Sequence, residues 1–172
     1  MPQPDPQPDG TTDRAGRARE IMRRVVSSDA WVDTLDADSP RWMVEFQREL
    51  VAAYRDGDLD WVLEHTHPEI EIFQPPELPD AREYRGREGL IDAFLDWPEE
   101  WEDFEVEPTR IQVLQDDLVL VEAIHRGRSK TMGIEIEAEI FWLYRLEGMQ
   151  TRRWEMFMSR DAALAAATER RG

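Results

Sequence analysis

The last third of the chain alternates apolar and polar side chains with a period of two, and this pattern constrains the fold more than any other feature. The alternation runs from Phe104 to Ser159 and is interrupted by short polar turns at 116–117, 129–133 and 147–148. A period of two is typical of strands, and turns this short join neighbouring strands as antiparallel hairpins. We therefore predict four consecutive strands, at 104–115, 118–127, 134–146 and 151–159.

The preceding part of the chain carries mostly helical spacing. A stripe of apolar residues predicts a helix that ends at Gly57, because glycine readily takes the left-handed conformation that terminates helices. Asp58 is a suitable cap for a short helix at 59–65, a strand is expected at 69–74, and another helix ends at Pro98. With a closing helix at 161–169, the element order indicates an α+β fold.

The chain divides into three segments. Residues 1–12 are poor in apolar side chains and are predicted to be a disordered tail. Residues 13–38 form a helical extension in which five arginines surround an apolar stripe. The main domain is expected at 40–169. Two interpretations of the basic helix stay open: it packs on its own domain, or it is an arm that binds another protein.

Composition excludes several classes of partner and site. The chain has 38 acidic and 21 basic residues, a formal net charge of −17, which disfavours nucleic acid and anionic membranes as partners. No cysteine is present, so disulfides, thiolate metal sites and a cysteine nucleophile are ruled out. No apolar run is long enough to cross a bilayer, and the first residues do not resemble a signal peptide. We expect a cytoplasmic protein.

Four short runs carry a family resemblance: 53–60 (AYRDGDLD), 67–71 (HPEIE), 84–90 (YRGREGL) and 160–164 (RDAAL). In order and spacing they resemble the SnoaL-like branch of the nuclear transport factor 2-like superfamily, from about Trp42 to Ala167. The resemblance implies a cone-shaped, cystatin-like fold, in which a curved antiparallel sheet wraps around helices and encloses a cavity, here with an added amino-terminal helix. Members include isomerases, cyclases, hydrolases and proteins without catalysis, so the fold does not define the function.

The known active site of ketosteroid isomerase, a member of this superfamily, does not transfer to the chain. The positions that resemble its tyrosine, its aspartate base and its second acid carry Leu50, Gln74 and Trp142. Leucine and tryptophan offer no acid, and glutamine cannot take a proton from carbon. The sequence therefore argues against ketosteroid isomerase chemistry.

A second comparison, with limonene-epoxide hydrolase, suggests a candidate catalytic pair. The corresponding positions carry Glu155 on the last strand and Ala123 and His125 on an earlier one, so the arginine of that site is missing. Alternation places His125 on the inward face, whereas only the resemblance places Glu155 inside. We expect His125 and Glu155 to form either a pair capable of acid–base chemistry or a structural ion pair.

The inward faces of the predicted elements outline a ligand pocket. Alternation and helical spacing, together with the resemblance, select Phe46, Leu50, Tyr54, Ile72, Gln74, Phe94, Trp97, Val121, Ile140 and Trp142. The same aromatic residues would also serve as core. His65 and His67 lie near Glu69, but a turn between helix and strand explains these polar residues, and we expect neither a metal site nor a cofactor.

A second apolar surface lies on the outer face of the predicted sheet. It contains Leu118, Leu120, Ile124, Phe141 and Leu143. A monomer rarely leaves such a surface exposed. The resemblance suggests that a homodimer covers it, and the amino-terminal helix is the other candidate cover.

Two hypotheses about function follow. In the first, the SnoaL-like domain binds a small, largely apolar organic molecule, with hydrolase, isomerase or cyclase chemistry by the His–Glu pair left open. In the second, the cone is filled by its own side chains, and the protein is a non-catalytic scaffold that acts through dimerisation and its amino-terminal helix. An open cavity with polar groups inside favours the first, and a closed core with a free helix favours the second. The sequence does not identify a ligand or decide whether the protein is an enzyme.

Overall fold

The computed structural model describes residues 10–25, 30–35, 37–78 and 81–169, in which the elements follow the predicted order. The helices are α1 (Gly10–Val25), α2 (Arg41–Asp56), α3 (Leu59–Glu64), α4 (Gly86–Glu99) and α5 (Arg160–Glu169), with a 3-10 helix at Ala30–Thr34. The strands are β1 (Thr66–Phe73), β2 (Glu83–Arg85), β3 (Trp101–Gln115), β4 (Leu118–Ser129), β5 (Glu135–Glu147) and β6 (Gln150–Phe157).

The six strands form one sheet in the order β2-β1-β6-β5-β4-β3. Strands β3 to β6 pair as antiparallel neighbours, as predicted. Strand β1 lies parallel to β6, a pairing that hairpin connections do not provide. The register of β3 shifts at three places, and such irregularities let a long strand bend. The result is the curved sheet packed on helices that the sequence predicts, an α+β fold.

Local signals at the helix ends act as expected. Gly57 follows α2 with φ +66°, and its N–H bonds back to the carbonyls of Ala53 and Tyr54. Asp58 caps α3 by accepting a hydrogen bond from the N–H of Trp61 at 3.1 Å. The sharp turn between α2 and α3 packs both helices against the sheet.

Helix α1 packs on its own domain. Ala18 and Met22 are fully buried in a core cluster that also contains residues of α3, α4, β1 and β6. On its polar side, Arg14 bonds to Asp92 of α4. The docked interpretation of the basic helix is therefore the correct one for its described part. The helix begins at Gly10, within the segment predicted to be disordered; the rest of that tail, residues 1–9, lies outside the described residues.

Helix α5 covers the outer face of the sheet. Its Ala163 and Ala167 pack with Leu118, Leu120, Phe141 and Leu143, all of which are buried within one chain. Arg160 strengthens this contact by donating to Glu122 at 2.6 Å and to Gln112 at 2.8 Å. The expectation that only a partner or the amino-terminal helix could cover these leucines is wrong, because small alanine side chains let α5 lie close to the sheet. The apolar outer face therefore no longer supports the predicted homodimer, which stays a prediction.

Element ends differ from the prediction by up to about three residues, and two further differences concern β2 and α4. A short strand, β2, forms in a segment expected to be a loop, where Tyr84 pairs with Ile72 of β1. Three residues are too few to show an alternation, so the sequence pattern gives no signal for it. Helix α4 continues through Pro98 to Glu99 instead of stopping before the proline. In the described part of the chain, no helix has the length and apolar character needed to cross a membrane.

Candidate functional site

The inner face of β4 carries a buried histidine at one end of the cone. His125 is 6% exposed and pairs in the sheet with Val106 and Ala138. Its ring lies among three aromatic rings, with centroid distances of 5.6 Å to Trp97, 4.9 Å to Trp101 and 4.7 Å to Phe104. The predicted inward orientation of His125 is confirmed.

The aromatic surroundings set the charge of this histidine. Burial lowers the pKa of His125 to about 4, because a charged imidazolium loses its hydration among the rings. The imidazole is therefore neutral at pH 7. Its Nε2 is buried and has no hydrogen-bond partner among the described residues. Buried polar atoms are normally satisfied, so this nitrogen is available to a ligand or a water molecule.

His125 lies on a cavity of about 340 Å³, which we call the mouth pocket. Its walls combine aromatic, aliphatic and charged side chains: Gln74, Leu78, Arg82, Tyr84, Asp96, Trp97, Glu99, Glu100, Trp101, His125, Ile136, Ala138, Ile140 and Met158. The volume falls at the small end of the usual range of about 300–1,000 Å³ for ligand sites. A mostly apolar lining with a few polar groups is the usual composition of such a site.

A hydrogen-bonded triad holds one side of the mouth pocket. Asp96 accepts from Arg82 at 2.9 Å and from the hydroxyl of Tyr84 at 3.1 Å. Burial raises the pKa of Tyr84 to about 12, and the hydrogen bond to Asp96 adds to the rise. Gln74 continues the network, since its Oε1 accepts from the backbone N–H of Arg82 at 3.0 Å. The triad therefore gives the pocket a fixed polar wall opposite apolar side chains.

Two smaller spaces, which we call the inner cavities, lie between the helices and the sheet, with volumes of about 60 and 80 Å³. Both are bordered by Tyr54, Tyr144 and Trp154, and Trp142 lines the smaller one. Burial raises the pKa values of Tyr54 and Tyr144, so both hydroxyls stay protonated. The indole nitrogens of Trp142 and Trp154 have no hydrogen-bond partner among the described residues. These spaces suit a few water molecules better than a ligand of ten atoms.

A family model described as "SnoaL-like domain" matches residues 47–154. The chain belongs to the SnoaL-like family. Comparison with curated proteins gives no match.

Solved structures share the fold of this SnoaL-like domain at low sequence identity. A SnoaL-like polyketide cyclase from Jannaschia sp. CCS1 has a TM-score of 0.57 and 18% identity, with 76% of this chain and 94% of that chain covered. A protein with a ketosteroid isomerase-like fold from Catenulispora acidiphila, in complex with trimethylamine, has a TM-score of 0.53 and 17% identity, covering 70% and 90%. TerC, co-crystallised with polyporic acid, has a TM-score of 0.51 and 18% identity, covering 69% and 91%.

The SnoaL-like domain does not bring the predicted catalytic pair together. Glu155 lies beside Leu143 of β5, on the outer face of the sheet, whereas its neighbours Trp154 and Met156 point into the cone. On that outer face Glu155 accepts a hydrogen bond from Arg153 at 3.0 Å. The predicted inward position of Glu155, and with it the His125–Glu155 pair, is wrong because successive side chains on a strand alternate between faces.

The predicted pocket residues of this SnoaL-like domain surround three spaces instead of one. Those on the mouth pocket are Gln74, Trp97 and Ile140. Those on the smaller inner cavities are Phe46, Leu50, Tyr54, Phe94, Val121 and Trp142, and Gln74 and Trp97 reach the 60 Å³ cavity as well. Ile72 is fully buried and lines none of these three spaces, which makes it a core residue.

The two other histidines have structural partners. The ring of His65 stacks on Trp61 at 3.9 Å, and its Nδ1 lies 2.8 Å from the carbonyl of the same residue. His67 accepts a hydrogen bond from the N–H of Glu69 at 3.0 Å. Among the residues described, no group of three or more histidine and carboxylate side chains is arranged to hold a metal ion.

Sequence reasoning missed most of the mouth pocket and its surroundings, including five residues that form the polar triad and the rings beside His125. These are Arg82, Tyr84 and Asp96 of the triad, and Trp101 and Phe104 beside His125. Trp101 lies before the predicted start of its strand, and the triad joins β2, its preceding loop and α4. The sequence offered one signal for these residues: Trp101 is aromatic, like other strand residues, so β3 could have been predicted to begin earlier.

Proposed function

We propose that this SnoaL-like domain binds a small, largely apolar organic molecule in the mouth pocket, with His125 as its innermost polar contact. The observation that carries the proposal is the buried, unpartnered Nε2 of His125 on the wall of a 340 Å³ cavity. A neutral imidazole can either donate or accept a hydrogen bond, so it suits an uncharged polar group or a donor on the ligand.

The walls of the pocket support a ligand with an apolar body. Trp97 and Trp101 offer flat aromatic surfaces, and Ile136, Ala138 and Ile140 form an aliphatic wall on β5. Rings of this kind bury a large area and favour stacked or edge-on contacts with other rings. Two of the similar structures named above were solved with trimethylamine or polyporic acid, which agrees with small organic ligands for the fold.

A thermal-shift panel of monoterpenes, small aromatic acids, short acyl esters and aromatic amines tests the proposal. A ligand present at a hundred times its dissociation constant adds about 2.7 kcal/mol to the stability of the folded state. For any ligand that shifts the melting temperature, His125→Leu is expected to weaken binding about two- to tenfold, the loss of one hydrogen bond.

His67→Leu is the matched control, because His67 lies outside the lining of the mouth pocket. It is expected to leave the affinity of the same ligand unchanged. If no compound across the panel shifts the melting temperature, or if both variants bind equally well, the proposal is wrong.

The alternative, a non-catalytic scaffold with a filled cone, has one observation in its favour. The two inner cavities together leave little space around Tyr54 and Trp154, so this part of the cone is close to a filled core. Under this alternative His125 is only a core residue, and neither the panel nor the variant produces a change in binding. A homodimer and a cytoplasmic location remain part of either proposal, to be tested by light scattering and by fractionation.

A further inference from the structure

The charges around the mouth pocket are unbalanced. Among the residues that the structure describes, its lining holds three carboxylates, Asp96, Glu99 and Glu100, against the single guanidinium of Arg82. Asp96 and Arg82 form an ion pair at 2.9 Å and largely cancel one another. Glu99 and Glu100 have no ion pair with any residue in the described part of the chain. With His125 neutral, the described part of the lining therefore carries a net charge of −2.

The end of α4 adds to this negative potential. Glu99 is its last residue and Glu100 follows directly, so both carboxylates stand at the carboxyl end of the helix. A helix carries a partial negative charge at its carboxyl end. No basic side chain occurs in the last turn of α4 to offset it. The carboxyl end of α4 would therefore repel an anionic ligand.

Aromatic rings favour a positive charge inside the pocket. Trp97 and Trp101 line it, and Phe104 packs against His125 behind them. The faces of aromatic rings attract organic cations, and tryptophan does so most strongly. The attraction between ring and cation is stronger when the cation is desolvated. A ligand that enters this cavity loses part of its hydration.

The free nitrogen of His125 completes the arrangement. In the tautomer that carries its proton on Nδ1, Nε2 is an acceptor and can receive a hydrogen bond from a protonated amine. Nε2 is buried and has no partner within the described ranges of the chain, so accepting such a bond would satisfy it. The pocket thus offers a hydrogen-bond acceptor, aromatic faces and two unpaired carboxylates.

We propose that the mouth pocket selects a small organic cation, a protonated or quaternary amine with an apolar body, over neutral and anionic molecules of the same shape. This inference rests on the proposed function, because it names the ligand class of that pocket.

The test uses three probes that share one shape and differ in charge. Benzyltrimethylammonium, neopentylbenzene and phenylmethanesulfonate all join a benzyl group to a tetrahedral head, with charges of +1, 0 and −1. The ammonium has no N–H, so its preference reports on the aromatic faces and the carboxylates alone. Binding is followed through the indole N–H signals of Trp97 and Trp101 in NMR spectra, assigned with W97F and W101F. We expect the ammonium to bind about tenfold more tightly than the neutral probe and the sulfonate to bind least.

A pair of double variants separates the pocket from the overall charge of the protein. E99Q/E100Q is expected to weaken binding of the ammonium about fivefold and to leave the neutral probe unchanged. E20Q/E169Q removes the same number of charges from exposed positions on α1 and α5. We expect it to change the affinity of the ammonium less than twofold.

Three results would overturn the inference. Equal or tighter binding of the neutral probe or of the sulfonate refutes the selection of cations but leaves the pocket as a ligand site. A preference for the ammonium that is equal in E99Q/E100Q and in E20Q/E169Q attributes it to the net charge of the protein. The absence of any signal change at Trp97 and Trp101 with all three probes refutes both the ligand class and the proposed function.

Discussion

Helix α1 is part of the folded core, and replacing one of its methionines tests this directly. Met22 is 0% exposed and belongs to the same cluster as residues of α3, α4 and β1. The change Met22→Ala removes three heavy atoms from a site without access to water. Large-to-small changes of this kind lower the free energy of unfolding by about 2–5 kcal/mol, the lost burial plus the cavity that remains.

Urea denaturation measures the effect. With a dependence on urea of about 2 kcal/mol per molar, a loss of about 3 kcal/mol lowers the midpoint by roughly 1.5 M. Glu20→Ala is the control, because Glu20 is exposed on the same helix and its replacement is expected to change stability by less than about 0.5 kcal/mol. Both variants should keep a single transition, since α1 unfolds together with the domain.

The reasoning fails if Met22→Ala and Glu20→Ala have the same midpoint. It also fails if the wild-type protein loses α1 in a separate transition at lower urea, which circular dichroism at 222 nm would show as an early partial loss of helix. Either result would mean that α1 is an arm and not a layer of the core.

Three further predictions address the backbone, the buried histidine and the outer face. Gly57→Ala should destabilise the protein by about 1–2 kcal/mol, because Gly57 has φ +66° and an added Cβ would lie 2.7 Å from the side chain of Arg23. Gly16→Ala should instead stabilise it by about 0.5–1 kcal/mol, because Gly16 lies in α1 with open space around it. Thermal denaturation of the two variants measures both effects. The pKa of His125 falls from 6.5 to about 4 on folding, so the unfolded state binds the proton at a higher pH than the folded state does. The contribution of the neutral ring to stability is therefore complete above pH 6.5 and is lost as the pH falls towards 4, and urea midpoints at pH 7 and 4.5 should differ less in His125→Gln than in the wild type. Glu155→Gln should leave the binding of any mouth-pocket ligand unchanged, because its side chain lies on the outer face of the sheet; a loss of affinity in a titration would contradict that placement.

Much of the fold was predictable because its signals are local. The alternation along β4 placed Val119, Val121 and His125 on one face, and the structure keeps them there. Gly57 and Asp58 marked helix ends for reasons that depend only on their own backbone and side chain. Signals of this kind do not require knowledge of what packs nearby.

The site was less predictable because its residues depend on tertiary pairing. In β6, each of the two alternating sets mixes polar and apolar side chains, so the pattern could not decide the orientation of Glu155. The outer position becomes favourable through Arg153, which bonds to Glu155 and stacks over the ring of Phe73 at 4.2 Å. Likewise, Asp96 meets Arg82 and its other partner only after α4 has packed beside β2. No local pattern encodes these contacts.

The parallel pairing of β1 with β6 has a consequence for the order of folding. Among the described strands, β1 pairs with β2 along one edge and with β6, far along the chain, on the other edge, where Thr66 faces Thr151. Contacts between such distant parts of a sequence form slowly, because a long loop must close first. The hairpins from β3 to β6 have near neighbours and can assemble early. During synthesis, β1 can pair with β6 only after β6 has left the ribosome, so we expect this edge of the sheet to be completed late.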